Sequence, residues 1–403
     1  MQIKYFIKSI VSSICYFIKL ALLKRKKTNK KIKVVFYVTE NQKWGYQSLY
    51  DILLKDKRFD LLVVIGLLHG VHKGKDKTRK NVEENYQFFK SKGMNVEYGY
   101  RNNKYINLRT FSPDVVFYEQ PWGLPKSHEP HNVSKFALTY YCPYSFQLFK
   151  NMQDSYSKFY RFLYKYFLTH ELNLKRIENH INKKAKNCEV IGYPKLDVYK
   201  QQITDDSCWK KKDKIKIIYA PHHSLEENSL NLATFRENGR LILDWAKSHT
   251  ETTWIFKPHP RFKFALLSNG VMNEKEVEEY YAEWERIGSV YTQGNYFDIF
   301  KTSDLMITDS GSFLAEYLPT KNPLIRPVNS KGIEFNETGS LLTSAFYQTK
   351  NNDELLKVLD DVVINKNDYK KDERMKVISE FFDFDEAAAS KIYKGMLKDF
   401  NLN

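Results

Sequence analysis

Three short polar runs in the second half of the chain each end a buried apolar stretch with a turn. They are Ala220-Pro221-His222-His223-Ser224 after residues 215–219, Lys257-Pro258-His259-Pro260 after Trp254-Ile255-Phe256, and Thr308-Asp309-Ser310-Gly311-Ser312 after Leu305-Met306-Ile307. Imidazoles, an ammonium and small hydroxyls at successive strand ends suit a phosphate-bearing ligand, because open α/β sheets bind ligands beyond the carboxyl ends of their strands. His259, fixed between two prolines, is expected to donate a ring N–H to a bridging phosphate while Lys257 adds charge. The plain alternative is a two-proline turn with an incidental histidine. Asp309, Ser310, Gly311 and Ser312 open a helix expected over 313–318, where free N–H groups and the helix dipole attract phosphate. They serve equally as ordinary helix caps. Glu316, about a turn and a half further on, is read either as a ribose contact or as a solvated surface group. At least one ring of His222 and His223 is expected to face the cleft, as a phosphate contact or proton carrier. A zinc pair is not expected, since neighbours at a strand end diverge and no third ligand has suitable spacing. No metal and no cofactor is assigned.

In the first half, Glu119 ends an apolar run and is followed by the turn Pro121-Trp122-Gly123. A carboxylate beside a Trp gains the raised pKa that a general base needs, so Glu119 is the first choice for that role and His131 the second. His128 lies close by. For each, the plain alternative is a loop residue paired with one of the many lysines. There is no Gly-x-Gly-x-x-Gly after the first strand and no Walker-type loop, which argues against a dinucleotide enzyme or an ATPase. The single Asp-x-Asp, Asp383-Phe384-Asp385, is better read as the cap of a helix over 386–396, which disfavours a metal-dependent sugar transferase of the other main fold.

The elements that must position these residues alternate. Strands are expected at 33–38, 59–67, 95–98 and 114–118, with helices at 47–54 and 81–92 between them. Residues 156–184 show helical periodicity, and a strand follows at 188–191. After a polar linker over 201–214, strands at 215–219, 253–257, near 290, 304–308 and 323–326 alternate with helices at 229–248, 274–286, 296–302 and 311–318. Two sequential halves of this kind predict an α/β protein of the GT-B type, with two Rossmann-like, doubly wound domains facing a cleft. The domains are expected at 33–200, holding the acceptor, and 201–403, holding the nucleotide donor and a C-terminal helix.

Residues 1–32 stand apart. The first 33 residues carry ten Lys or Arg and no Asp or Glu, and they supply most of the net charge of +16. The apolar stretch from Ile3 to Leu23 is interrupted by Lys4, Lys8 and Lys19, which fall near one another on a helical wheel. Central lysines are costly in a spanning helix, so an amphipathic helix lying in the membrane interface is expected, with the cluster from Lys24 to Lys33 facing anionic lipid. An uncleaved spanning anchor is the alternative. This segment is expected to add nothing to the folded core. Nucleic acid is not an expected partner. The four cysteines are far apart in sequence, which indicates neither a disulfide framework nor a zinc site and fits a cytoplasmic setting.

The ordered set Gly192-Tyr193-Pro194-Lys195-Leu196-Asp197, Ile217-Ile218-Tyr219-Ala220-Pro221, Lys257-Pro258-His259-Pro260, Asp304 to Ser312 and Asp385-Glu386-Ala387-Ala388-Ala389-Ser390 resembles the CDP-glycerol glycerophosphotransferase family of teichoic acid and capsule synthesis. The resemblance covers roughly residues 188–398. It implies a GT-B fold, a cytidine nucleotide donor in the C-terminal half, transfer of glycerol phosphate or a related unit to a lipid-linked or polymeric glycan, and a peripheral location on the cytoplasmic face of the membrane. By position, His259 and the Asp309–Ser312 turn would bind the donor pyrophosphate. The lysine-proline-histidine element is also similar to that of bacterial CMP-sugar transferases. The chain departs from the family in three places. Ser310-Gly311-Ser312 replaces the usual tyrosine and paired serines, His222 and His223 stand where an arginine is expected, and the acceptor-half histidine-glycine element has no clear match, its nearest region being 117–144. The Thr308–Gly311 turn occurs in UDP-sugar 2-epimerases too, and a non-catalytic glycan-binding protein would use the same cleft.

Overall fold

Runs of Val, Ile, Phe and Tyr that are apolar on both strand faces belong in parallel sheets covered by helices on each side. The computed structural model describes residues 2–25, 30–69, 75–150, 157–178, 185–201, 205–226, 230–292, 296–382 and 385–402. The chain divides into two units. Unit 1 comprises Met1–Gln147, Asn151–Asp197 and Phe384–Asn403; unit 2 comprises Leu148–Lys150 and Val198–Asp383.

The strands of unit 1 are β1 (Ile32–Val38), β2 (Phe59–Ile65), β3 (Val96–Tyr98), the short ribbon β4 (Tyr100–Arg101) and β5 (Lys104–Tyr105), β6 (Val115–Tyr118), β7 (Leu138–Tyr141), β8 (Lys165–Leu168) and β9 (Cys188–Val190). Seven of them form one sheet in the order β3-β2-β1-β6-β7-β8-β9, with every pair parallel. Unit 2 contributes β10 (Ile215–Ala220), β11 (Thr252–Phe256), β12 (Gly288–Val290), β13 (Leu305–Thr308), β14 (Leu324–Pro327) and β15 (Tyr347–Thr349). These form a second parallel sheet in the order β12-β11-β10-β13-β14-β15. Each sheet reverses its direction of growth once, between β1 and β6 in unit 1 and between β10 and β13 in unit 2. Such a switch point leaves a crevice beyond the strands' carboxyl ends. Both units are therefore Rossmann-like, and the fold is of the GT-B type.

Three expectations are corrected. The aromatic and basic stretch over 156–184 is not one helix. Residues 151–156 and 179–184 lie outside the described residues, and between them a short helix, Ser157–Arg161, and the helix Glu171–Glu178 flank β8. Tyr166, Phe167 and Leu168 are buried, and an apolar run covered on both faces carries no period that separates strand from helix. Strand β7, buried at every position, carries no such period either.

The last helix, Ala388–Phe400, belongs to unit 1 rather than to the second half. Its start is held by Asp197, whose two oxygens accept from the amides of Ala388 at 2.8 Å and Ala389 at 2.9 Å. Asp197 thus takes the capping role expected of Asp385, while Asp383 and Phe384 lie outside the described residues. The polar linker has no helix or strand over 205–214, and residues 202–204 are likewise outside. Trp209 nonetheless pins it to unit 2, donating from Nε1 to Thr302 Oγ1 at 2.8 Å.

The N-terminal helix, Gln2–Lys24, does contribute to the core of unit 1. Ser12, Tyr16 and Leu23 are buried; the Tyr16 hydroxyl meets Thr139 Oγ1 and the Phe162 carbonyl, and Lys19 pairs with Asp114 at 2.9 Å. Of the lysines that interrupt the apolar stretch, Lys19 docks on the protein. The opposite face leaves Phe6, Ile10, Ile14, Phe17, Ile18 and Leu22 exposed. Of the basic cluster, residues 26–29 lie outside the described residues.

Candidate functional site

In unit 2 the parallel pairing of β10 with β11, Tyr219 beside Phe256, aligns the strand ends and brings the first two motifs together. The rings of His222 and His223 lie 4.4 Å apart, His223 stacks on His259 at 3.9 Å, and His222 meets His259 edge-on at 5.4 Å. The expected divergence of His222 and His223 therefore does not occur: one nitrogen from each of the three rings lies within 4.8 Å of the others. Local backbone bonds define what these rings present. Nδ1 of His222 accepts from the Ser224 amide at 3.2 Å and faces Ser224 Oγ at 2.7 Å. That hydroxyl oxygen itself accepts from the Leu232 amide, which leaves its hydrogen for the ring. Nδ1 of His259 accepts from the Arg261 amide at 3.1 Å. With both Nδ1 lone pairs occupied, the ring proton of each sits on Nε2, the tautomer that donates to an anion.

Burial keeps the rings neutral. It pushes His222 down to about 3, His223 to about 4 and His259 to about 2, the last helped by its two neighbouring rings and by Lys257 and Arg261. Lys257 is buried, and its ammonium lies 5.3 Å from the ring centre of Tyr296 and 5.5 Å from that of Phe313, a cation–π setting.

The third motif is placed differently from expectation. Both Asp309 oxygens are engaged by the protein: Oδ1 accepts from the His222 amide at 2.6 Å, and Oδ2 from Thr234 N at 2.7 Å and Thr234 Oγ1 at 2.9 Å. Asp309 is thus a positioning residue that ties the His222 turn to the switch point. The Ser310 amide is occupied by Thr308 Oγ1 at 3.0 Å, and a Cβ on Gly311 would meet the Phe149 ring at 2.5 Å. The helix Gly311–Tyr317 therefore starts against packed side chains. Ser310 is buried and Ser312 half-buried at that start. Glu316 is no surface group: it is buried and accepts from the Tyr296 hydroxyl at 2.6 Å. Arg326, at the end of β14, is a buried strand-end cation that was not anticipated. Its place directly before Pro327 at the end of an apolar run was the one available signal.

In unit 1, Glu119 follows β6 at the switch point. Its Oε2 accepts from Thr39 N at 2.9 Å, Thr39 Oγ1 at 3.0 Å and Glu40 N at 3.1 Å, whereas the buried Oε1 has no protein partner. Burial lifts its pKa to about 7, against the opposing effect of those bonds and of Lys43. The Trp122 ring lies 5.0 Å from the Lys43 ammonium, which also donates to Gln120 Oε1 at 2.6 Å.

His131 is not brought to Glu119. It sits on the short helix Pro130–Val133 that leads into the amino end of β7, and its Nδ1 meets Ser12 Oγ of the N-terminal helix at 3.1 Å. Glu119 is at the carboxyl end of the same sheet. His128 is buried between Tyr37 and the Ile106 carbonyl, and burial lowers it to about 4. Both histidines have structural roles in this fold.

Residues 154–398 match the family model described as CDP-glycerol:poly(glycerophosphate) glycerophosphotransferase. No curated protein matches. Among solved structures, a variant of the wall teichoic acid polymerase TagF superposes with a TM-score of 0.61 at 14% identity, over 100% of this chain and 99% of that one. The UDP-GlcNAc 2-epimerase of Neisseria meningitidis bound to UDP-GlcNAc gives 0.59 at 12% identity, over 91% of this chain and 100% of its own. The S. aureus MnaA–UDP structure gives 0.58 at 13%, over 93% and 98%. At these identities the superpositions speak for the fold.

Proposed function

This chain belongs to the CDP-glycerol:poly(glycerophosphate) glycerophosphotransferase family, a transferase of cell-wall polymer synthesis, and from that premise we propose a donor, an acceptor and a division of labour. The donor is CDP-glycerol or a closely related cytidine nucleotide, bound by unit 2. The acceptor is a hydroxyl of a lipid-linked or polymeric glycan, bound by unit 1. In the reaction the acceptor oxygen attacks the phosphorus that bears glycerol, the bond from that phosphorus to the CMP oxygen breaks, and CMP leaves with the electron pair. The hydroxyl proton passes to Oε1 of Glu119, the one carboxylate oxygen there without a protein partner. The Nε2–H groups of His222 and His259 donate to the pyrophosphate and stabilise charge on departing CMP.

The observation that carries this reading is the family match over 154–398, which spans all three strand-end motifs, together with the convergence of His222, His223 and His259. The full-length protein is to be assayed with CDP-glycerol, a CMP-sugar or UDP-GlcNAc, with and without a short poly(glycerol phosphate). CMP release from CDP-glycerol that needs the acceptor is the expected result. Epimerisation of UDP-GlcNAc without CMP release would overturn it in favour of a 2-epimerase, a reading that the fold shared with the Neisseria enzyme supports. Tight glycan binding with no turnover of any donor would favour a binding protein.

A peripheral location on the cytoplasmic face of the membrane completes the proposal. It is supported by the exposed apolar stripe of the N-terminal helix and by the exposed Lys24, Arg25, Lys30 and Lys31 that follow it.

A further inference from the structure

Two arginines are buried in unit 2, and they are treated differently. Arg374 is fully buried and fully matched: its guanidinium pairs with both oxygens of Asp368 and donates from Nε to the Lys321 carbonyl at 2.9 Å. Arg326 is only 7% exposed and has no carboxylate partner among the described residues. It donates one hydrogen bond, from Nη1 to Gln348 Oε1 at 3.0 Å, lies 4.6 Å over the Phe335 ring, and has a buried Nε with no partner. An unmatched buried cation is costly, and burial lowers this one to about 10.

Arg326 also sits where a charge is missing. It is the penultimate residue of β14, which pairs with β13, Ile325 beside Ile307, so it lies level with Thr308 and one residue short of the level of Asp309. Asp309 attracts it through space, yet both Asp309 oxygens are engaged elsewhere. His222, His223 and His259, which follow β10 and β11 of the same sheet, are neutral donors and bring no positive charge.

We infer that Arg326 is the phosphate-binding cation of unit 2, and that its missing counter-ion is a phosphate of the ligand. A guanidinium offers paired N–H groups that match two phosphate oxygens, which an ammonium cannot reproduce. The assignment to a phosphate rests on Arg326 alone; that the phosphate belongs to a cytidine diphosphate rests on the function proposed above.

The test uses the full chain and the variants Arg326→Met and Arg326→Lys, titrated with CDP, cytidine and inorganic pyrophosphate. Wild type is expected to prefer CDP over cytidine. Arg326→Met should lose CDP affinity by ~10-fold or more while keeping its cytidine affinity, since a hydrogen bond to a charged group has about that effect. Arg326→Lys should fall between. Without ligand, the melting temperature of Arg326→Met should equal or exceed that of wild type, because an unmatched charge has been removed. A structural arginine would give a lower one. Equal losses of CDP and cytidine, or unchanged CDP binding, would overturn the inference. If wild type binds no cytidine compound, the cytidine reading falls; pyrophosphate then decides, by stabilising wild type and not Arg326→Met if the inference holds, and both or neither if it does not.

Discussion

Glu119 in unit 1 and Asp309 in unit 2 occupy equivalent places. Each follows the strand across the switch point, β6 or β13, and each reaches over to the turn after the first strand of its sheet, β1 or β10. Each is buried, and burial raises each pKa, to about 7 and about 6. They differ in what remains. Asp309 has both oxygens engaged by three donors from the His222 turn and Thr234. Glu119 receives three donors on one oxygen, and its other is left without a partner. One carboxylate therefore braces the His222 turn, and the other, in the function proposed above, is the group that exchanges a proton. The fold supplies the position twice, and hydrogen-bond saturation separates the roles.

The largest effect that would test this contrast is on turnover. Glu119→Gln should lower kcat by roughly 100- to 10,000-fold if Glu119 is the general base. The wild-type rate should rise with pH through about 7 as the carboxyl ionises, and the variant should lack that limb. Stability should move the other way. A carboxyl raised from 4.5 to about 7 on folding gives stability that is fully present below 4.5 and lost as pH rises through 7. The loss amounts to about 3 kcal/mol by linkage. Urea titrations from pH 4 to 8 should show this decline in wild type and not in Glu119→Gln. A variant with the wild-type rate profile would remove the distinction between the two sites.

Asp309→Asn should act mainly on the fold of unit 2. An amide at that place meets the His222 and Thr234 amides with at most one acceptor oxygen, so a loss of about 2 to 3 kcal/mol is expected from the missing charge-assisted bonds. CDP affinity should fall with it, because His222 is released. If Asp309→Asn instead keeps its stability and abolishes turnover with CDP affinity intact, Asp309 is a chemical group and the comparison with Glu119 is wrong.

Much of this was legible in the chain and some was not, for physical reasons. The three strand-end motifs announced themselves because a buried strand and the turn that ends it are contiguous in sequence. Convergence of His222, His223 and His259 depends instead on which strands are neighbours, and aligned parallel strands bring residues 222 and 259 together although 37 positions separate them. Arg326 carries no local mark of its isolation, because a missing partner is a property of the packed interior. Asp197 and the last helix pair across 191 residues, beyond any periodicity. Strands β7 and β8 were hidden by aromatic runs, such as Leu138-Thr139-Tyr140-Tyr141, that bury both faces.

The smallest effects are expected beneath the sheet of unit 1, at the amino ends of its strands, and they test whether the Glu119 site is independent of what lies there. The N-terminal helix turns Tyr16 inward and Phe17 outward, so two adjacent substitutions separate its faces. Tyr16→Phe removes the hydroxyl that meets Thr139 Oγ1 and the Phe162 carbonyl and should cost about 1 kcal/mol of stability, read from urea titration. Phe17→Ser changes a side chain that is 75% exposed, and such surface changes stay within about 0.5 kcal/mol. It should instead weaken sedimentation with anionic vesicles, most visibly at low salt, where the neighbouring lysines add their attraction. Neither should move the pH limb near 7. A Tyr16→Phe variant whose rate profile shifts would couple the two ends of the sheet, and a Phe17→Ser variant that pellets like wild type would mean that the apolar stripe is not the membrane-binding face.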